Sequence, residues 1–360
     1  MLQNVPDCSG VVANFIGKDV FFTVRKLGSG HIHDTYFIHP QNKSPFVLQR
    51  LNTQVFTQPL DLINTHLQVY QHLNAQKDFP LQLPKPIAAV NGNYLVQDKQ
   101  QNVWRAMDFI ANSYAVERSE NTQQTQQAAE AVGIFLRGLA GLDPDVITPA
   151  LPGFHDSLQR LQVFRQAVAE NRAGRLSNVQ TEIYFLEQEA AVFYLVEDLK
   201  FPKRVVHSDP KIGNLLFDLD THAAIAVLDW DTIMPGAIPS DFGDMLRTMA
   251  ATCPEDEADL SKVGLDYQLF NALVKGFVPP LCGWLTEVEI NHLITGARWI
   301  ILEQMMRFLT NYLNGDVYYK INYPEHNLIR THNQMTLYQV VKKEEQNLVN
   351  IIQRCAAQFK

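Results

Sequence analysis

The chain has 360 residues, a formal net charge of -8, and 46% hydrophobic against 19% charged residues. That supplies a large core, enough for two lobes, and excludes a disordered chain. An acidic balance with no basic block longer than Lys342–Lys343 carries no nucleic-acid footprint, and no apolar run reaches membrane-spanning length, so neither nucleic acid nor membrane is expected as a partner.

Four cysteines, Cys8, Cys253, Cys282 and Cys355, lie far apart without paired spacing. Reduced thiols and a cytoplasmic location are expected, with neither a zinc site nor a disulfide framework. The first residues lack a basic region followed by a long apolar run.

After a polar start, Val20–Leu27, His33–His39 and Pro45–Leu51 are short runs rich in β-branched and aromatic residues, punctuated by Gly28, Gly30 and Pro40. They predict antiparallel strands. Leu60, Ile63, Leu67, Tyr70 and Leu73 recur at helical spacing, with Thr57 as the expected cap and Pro59 in the opening turn. Pro80, Pro84 and Pro86 end that helix, and Asn93–Asp98 and Val103–Ile110 predict two further strands. A polar, Gln-rich stretch, 111–127, follows, and beyond it helical periodicity dominates. Ala128, Val132, Phe135, Leu136 and Leu139 share one face, and Ile183, Leu186, Ala190 and Phe193 another. From Ile290 to Tyr312 the period holds for about six turns, predicting one long core helix. The expectation is an α+β chain: an antiparallel β lobe with one helix over residues 1–110, a hinge at about 107–112, and a mainly helical lobe over 113–360.

One stretch carries chemistry. Between Val205 and Asp231 stand His207, Asp209, Lys211 and Asn214, then two apolar runs reading as a hairpin, Asn214–Phe217 and Ala224–Leu228, and then Asp229. Metal-dependent phosphoryl transfer needs such a set: a carboxylate to orient and deprotonate a hydroxyl, a cation beside the moving phosphate, and two hard oxygen ligands for magnesium. Asp209 is the expected catalytic base, Lys211 the cation, and Asn214 and Asp229 the metal ligands. Asp231 reads as a second metal ligand, a substrate contact or a loop-stabilising carboxylate. A single imidazole such as His207 is expected to brace the loop. The DFGD at Asp241–Asp244 precedes a helical pattern and reads as a helix start, with Asp241 assigned to structure.

A small β lobe, a hinge and a helical lobe holding H-x-D-x-K-x-x-N and a later Asp resemble the protein-kinase-like superfamily. Ser208 stands where protein kinases carry Arg, and no A-P-E element follows, which directs the likeness to the aminoglycoside phosphotransferase and choline kinase branch. Within it the chain is most similar to N-acetylhexosamine 1-kinases, on GSGHIHDTY (28–36), LQRLN (48–52), HSDPKIGN (207–214), LDWDTIMPG (228–236) with DFGD (241–244), and RFLTNYLNGDVYY (307–319). The resemblance implies a bilobal protein-kinase-like fold, ATP and Mg2+ as cofactors, and a small-molecule sugar as substrate. Other acceptors in the branch are aminoglycosides, choline and homoserine, and a nucleotide-binding protein without turnover is the remaining alternative.

The resemblance also implies a nucleotide site made of the Gly28, Ser29 and Gly30 turn, the third strand, and hinge residues Met107 and Phe109. The third strand departs from the kinase pattern, with Gln49 and then Arg50 where a Lys is expected. Alternation sends these two to opposite faces, and alignment favours Gln49 while charge favours Arg50. No Glu lies in the Leu60–Leu73 helix to pair with such a cation. For the sugar, the candidates are His31, Asp34, Asp231, Arg307 and Tyr318, with a Glu303 ion pair as the structural alternative for Arg307.

Overall fold

The structure is a computed structural model that describes residues 8–18, 20–28 and 32–359. Helix α1 (Ser9–Ile16) leads into β1 (Phe22–Lys26), β2 (Asp34–Pro40) and β3 (Phe46–Arg50). Then come α2 (Pro59–Asn74), the short strands β4 (Pro86–Ile87) and β5 (Val96–Gln97), and β6 (Val103–Asp108). The antiparallel sheet runs β1-β2-β3-β6-β4, with β5 also on β6. Alternation divides its faces. Tyr36, Ile38, Phe46, Leu48, Trp104 and Ala106 point to one side, where Val12, Phe15 and Ile16 of α1 bury them. Thr35, Gln49 and Arg105 lie on the other face, which looks at the large lobe.

Several expectations are corrected in detail. The polar start contains α1, whose two turns are too short to display a period. Pro59 opens α2 as expected, but the N-cap is Gln58 without a side-chain bond, and Thr57 does not cap. The expected strand Asn93–Asp98 shrinks to Val96–Gln97, because Gly92 at φ 87° and the Asn91 side chain, accepting from Asn93 N–H at 3.0 Å, make a turn there. Pro86, expected only to punctuate, joins the sheet at its edge, where a missing N–H is tolerated.

Beyond the sheet, β7 (Ser113–Tyr114) pairs with β9 (Leu215–Asp218) of the expected hairpin, whose other arm is β10 (Ala224–Val227). Helix α3 (Thr122–Gly138) begins inside the polar stretch, capped by Asn121, which accepts from Gln124 N–H at 2.9 Å. After α4 (Ser157–Glu170), the expected single face from Ile183 to Phe193 is two helices, α5 (Gln180–Glu189) and α6 (Ala191–Leu199), broken at Ala190. Strand β8 (Arg204–Val206) pairs with β11 (Met234–Gly236) and frames the central segment. Helices α7 (Ile238–Met249), α8 (Tyr267–Leu281), α9 (Glu287–Asn291), α10 (Leu293–Leu313), α11 (His326–Lys343) and α12 (Glu345–Ala357) complete the chain. The expected long helix is α9 plus α10. His292, at φ -115° and ψ 18°, breaks it, while the apolar spacing runs on across the break.

Helix α10 runs through the middle of the large core, with Leu293, Ile294, Ala297, Ile301, Met305 and Leu309 buried. Val69 and Leu73 of α2 join the same core, so apolar packing crosses the junction that the strands mark. Helices α7 and α10 meet at a backbone-to-backbone contact: a Cβ on Gly243 would sit 2.5 Å from Gly296 O, and one on Gly296 would collide with Pro239 O. Gly243→Ala is therefore expected to cost at least about 1–3 kcal/mol in urea unfolding, since backbone and not a flexible side chain must give way. Gly10→Ala, in α1 with nothing near its Cβ position, is the control and is expected to be neutral or slightly stabilising.

Candidate active site

The segment after β8 is held from below by a buried carboxylate. Asp241, in the first turn of α7, accepts from His207 N–H at 2.8 Å and Ser208 N–H at 2.9 Å. It is fully buried, and burial pushes its carboxyl up to about 7 against the pull of those two amides. Thr232 Oγ1 donates to His207 O at 2.8 Å, tying the metal-candidate segment to the same loop. His207 Nε2 donates to Leu228 O at 2.8 Å and its Nδ1 accepts from Asp209 N–H at 3.3 Å. Both ring nitrogens are thus engaged in bracing, as expected for His207. Ser208, at φ 69°, is a non-glycine residue in the left-handed region, a conformation retained only because its neighbours over-determine it.

On this frame the predicted residues converge. Lys211 Nζ donates to Asp209 Oδ2 at 2.7 Å, and Asn214 Nδ2 donates to Asp209 O at 2.8 Å and Oδ2 at 3.1 Å. Burial alone would raise the Asp209 carboxyl, but the Lys211 ammonium beside it wins and holds it below the usual range. Asp209 in turn raises Lys211. Asp229 lies at the end of the hairpin in the left-handed region, φ 61° and ψ 59°. Burial first, then the nearby Asp231 and Asp209 carboxylates, push Asp229 up to about 6.

Among the described residues no cluster of three or more His, Cys, Asp or Glu has metal-holding geometry. The set present is sparser. Asn214 spends its amide nitrogen on Asp209 and keeps Oδ1 as an acceptor, and Asp229 offers a carboxylate crowded by like charge. Two hard oxygens fit magnesium, which keeps several waters and takes phosphate oxygens as ligands.

The small-lobe candidates separate. Gly28 is left-handed at φ 69°, while Ser29, Gly30 and His31 lie outside the described residues. Gln49 faces the large lobe and Arg50 the opposite side, where it pairs with Asp34 across the strands. Asp34 is therefore on the face turned away from Asp209. Phe109 packs edge-on against Phe37 with centroids 4.7 Å apart, and the Arg25 guanidinium lies over the Phe37 ring. Met107 pairs with Val47 and Pro86, and Asp108 N–H already donates to Lys85 O at 2.9 Å.

Asp231 is 4% exposed and takes three donors: Arg105 Nη1 and Nη2 at 2.6 and 2.7 Å, and His33 Nε2 at 2.8 Å. Of the three roles its position allowed, the structure puts it in a buried ion-pair cluster. Arg307 makes no ion pair with Glu303 among the described residues. It lies over Phe154, 4.9 Å from the centroid, and bonds weakly to Gln304 at 3.4 Å. Tyr318 is 59% exposed beside Tyr319, and its backbone N–H donates to Asn311 Oδ1 at 2.9 Å.

Sequence reasoning missed Arg105, His33, His155 and Arg247. Arg105 had a signal, since alternation in VWRAMDFI puts it on the same face as Gln49. His155 had none. Its Nδ1 donates to Glu303 Oε1 at 2.8 Å and its Nε2 to Ser208 O at 3.2 Å, joining α10 to the loop. Arg247 is paired to Asp244 and Glu255, both at 2.7 Å, and acts electrostatically on both Asp209 and Arg307.

The profile of the phosphotransferase enzyme family, APH, matches residues 23–271. The chain belongs to that family. Solved structures share its fold at low identity. A microcompartment-associated aminopropanol kinase is 14% identical with a TM-score of 0.59, over 95% of this chain and 98% of that one. The GDP complex of aminoglycoside 2'-phosphotransferase-IIIa is 14% identical with a TM-score of 0.62, over 92% and 99%. An amicoumacin kinase solved with AMP-PNP and Ca2+ is 13% identical with a TM-score of 0.62, over 92% and 93%. The antiparallel-sheet lobe and helical lobe are those of this kinase-like fold.

The His155–Glu303 pair makes a pH prediction. Burial would raise Glu303, but His155 and the arginines around it bring it down to about 2, while His155, which burial would lower, is raised by Glu303. A depressed carboxyl contributes stability that is present above its unfolded value of 4.5 and lost as pH falls toward 2. Glu303→Gln is expected to cost about 3 kcal/mol near pH 6 and to flatten the acid limb between those values, measured by urea unfolding across pH.

Proposed function

We propose that the protein is an ATP- and magnesium-dependent kinase that transfers the γ-phosphate to the anomeric hydroxyl of an N-acetylhexosamine. The observation that carries this reading is the convergence of Asp209, Lys211 and Asn214 on one frame with Asp229 close enough to feel the Asp209 charge. Relatives of the same fold solved with GDP or AMP-PNP support nucleotide use.

Asp209, ionised by its Lys211 partner, accepts the hydroxyl proton as the acceptor oxygen bonds to the γ-phosphorus and the bond to the β-bridging oxygen breaks, releasing ADP. The transition state is loose, so aiming the oxygen and offsetting phosphate charge matter more than proton removal. Asn214 and Asp229 are the residues that would hold magnesium, which when bound offsets charge on the phosphates. Lys211 adds a cation on the same side.

For the acceptor, the groups around Arg307 are Arg160, Arg247, Tyr318, Tyr319 and the ring of Phe154, while Glu303 is held by His155 and Asp244 pairs with Arg247 through Oδ1, leaving a buried Oδ2. That is a neutral-to-basic, hydroxyl-bearing wall, which suits a sugar better than a cation. A second reading has one observation of its own. A cavity of about 540 Å³ beside Ser208 is walled by Phe154 and Trp299 and carries Asp156 and Glu197. Rings with carboxylates suit an ammonium, hence an amino-alcohol or aminoglycoside acceptor.

Purified protein with magnesium ATP and a panel of hexosamines, aminoglycosides, choline and ethanolamine decides between them. ADP release only with an N-acetylhexosamine, with an anomeric phosphate in phosphorus NMR, is the expected result. Turnover with an amino alcohol or aminoglycoside alone selects the second reading, and none with any acceptor overturns both. With the active acceptor, Asp209→Asn is expected to lower kcat by about 10²- to 10⁴-fold and to leave the KM for ATP largely unchanged.

A further inference from the structure

The face of β3 that looks at the large lobe carries Gln49 and no cation, yet the sheet does present a positive charge there. Arg105 stands on β6 in register opposite Gln49. Its Nε and Nη2 donate to Gln49 Oε1 at 2.9 and 2.7 Å, and its Nη1 and Nη2 reach the two oxygens of Asp231 at 2.6 and 2.7 Å. This is a fork-to-fork pair, a geometry that an ammonium has no means of making. Asn52 N–H donates to His33 Nδ1 at 3.0 Å, which places the ring proton on Nε2, where it donates to Asp231. Asp231, a residue of the large lobe, is thus gripped from β6 and from the turn before β2, with β3 as the brace.

We propose that Arg105 is a positioning residue for the metal-binding segment: by gripping Asp231 from the small-lobe sheet, it holds Asp229, two residues away, at the phosphate end of the cleft. The inference rests on the kinase reading above. Kinases that keep a strand lysine pair it with a helix glutamate to fix the sheet relative to the phosphates. Here α2 has one acidic residue, Asp61 in its first turn, and turns His66 toward Trp230 with ring centroids 4.8 Å apart. The sheet's cation therefore finds its carboxylate on the metal segment itself.

That segment needs an anchor on this side. Asp229 occupies a left-handed conformation that a non-glycine residue leaves unless its surroundings hold it. Trp230 Nε1 to Val227 O at 2.8 Å and Thr232 Oγ1 to His207 O at 2.8 Å secure the large-lobe side. The Arg105–Asp231 fork secures the other, and Gln49 at the lysine position has become the part that aims it.

Isothermal titration of AMP-PNP, with and without magnesium, into wild type, Arg105→Gln, Asp231→Asn and the double variant tests this. Each single change is expected to weaken binding of magnesium AMP-PNP by about 10- to 100-fold, the scale of groups that orient metal ligands, and to leave metal-free AMP-PNP binding unchanged. The double variant is expected to be no worse than either single one, since the two side chains act as a unit. Gln49→Ala, which removes the brace and leaves the ion pair in place, is expected to show a smaller loss of the same kind. Arg105→Gln binding magnesium AMP-PNP like wild type, equal losses with and without metal, or multiplying losses in the double variant would overturn the inference. If the buried-pair variants do not fold, Gln49→Ala decides, and unchanged magnesium AMP-PNP binding overturns it. Wild-type protein that binds no nucleotide in either condition overturns the kinase reading first and this inference with it.

Discussion

The Asp241 carboxylate on the His207 and Ser208 amides is the interaction on which the site depends. It fixes a loop that carries a left-handed serine, and it does so from a helix whose own position is set by the Gly243–Gly296 contact with α10. Closer approach of two helix backbones requires glycine, because any Cβ there meets a carbonyl. The same α10 sends Glu303 to His155, and His155 to the carbonyl of Ser208. The loop is therefore held by its amides from one helix and, through His155, by its carbonyl from another, and a residue gripped at both its N–H and its C=O has little freedom to turn.

This rigid frame lets the chain collect carboxylates that repel one another. Asp209, Asp229 and Asp231 lie within electrostatic reach, and each has a different environment. Lys211 lowers Asp209, and Arg105 with His33 lowers Asp231 against strong burial. Among the described residues Asp229 makes no ion pair, and burial with the two neighbouring carboxylates outweighs the pull of Lys211, so it is raised to about 6. Similar side chains thus acquire distinct tasks from their neighbours alone. Asp209 is kept ionised beside Lys211, Asp231 is a fixed counterion to Arg105, and Asp229 is the one of the three crowded by like charge.

What was legible in the sequence follows the range of the signal. The strands of the small lobe, α2, the hairpin and the Asp209-Lys211-Asn214 grouping lie within a few residues of their own cues, in alternation, helical period or motif spacing. The break at His292 was not legible because the apolar face continues across it, so the period reports burial and not backbone continuity. Helix α1 was hidden by its brevity, since its stability comes from packing Val12, Phe15 and Ile16 on the sheet and not from its own pattern. His155, 53 residues from Ser208, leaves no local trace of its partnership. Asp34 and Arg50 show the converse: near Gly28 and Gln49 in sequence, they sit on the far face, because alternation sends every second side chain away from the cleft.

The absent strand lysine is the point at which local and tertiary information meet. A motif-based reading treats Gln49 as a defect, because it weighs one position at a time. In the folded chain the sheet delivers a row of side chains, and cross-strand neighbours in register share one face and contact. Gln49 and Arg105 are such neighbours, so moving the charge from β3 to β6 shifts it by about one strand spacing, roughly 5 Å, while a guanidinium reaches farther than an ammonium and offers two parallel donors. With no glutamate on α2 to satisfy, that charge turns to the large lobe and pairs with Asp231. The substitution thus exchanges an ion pair within the small lobe for one between lobes. Burying that pair is costly unless every donor is placed, and Gln49 and His33 place them.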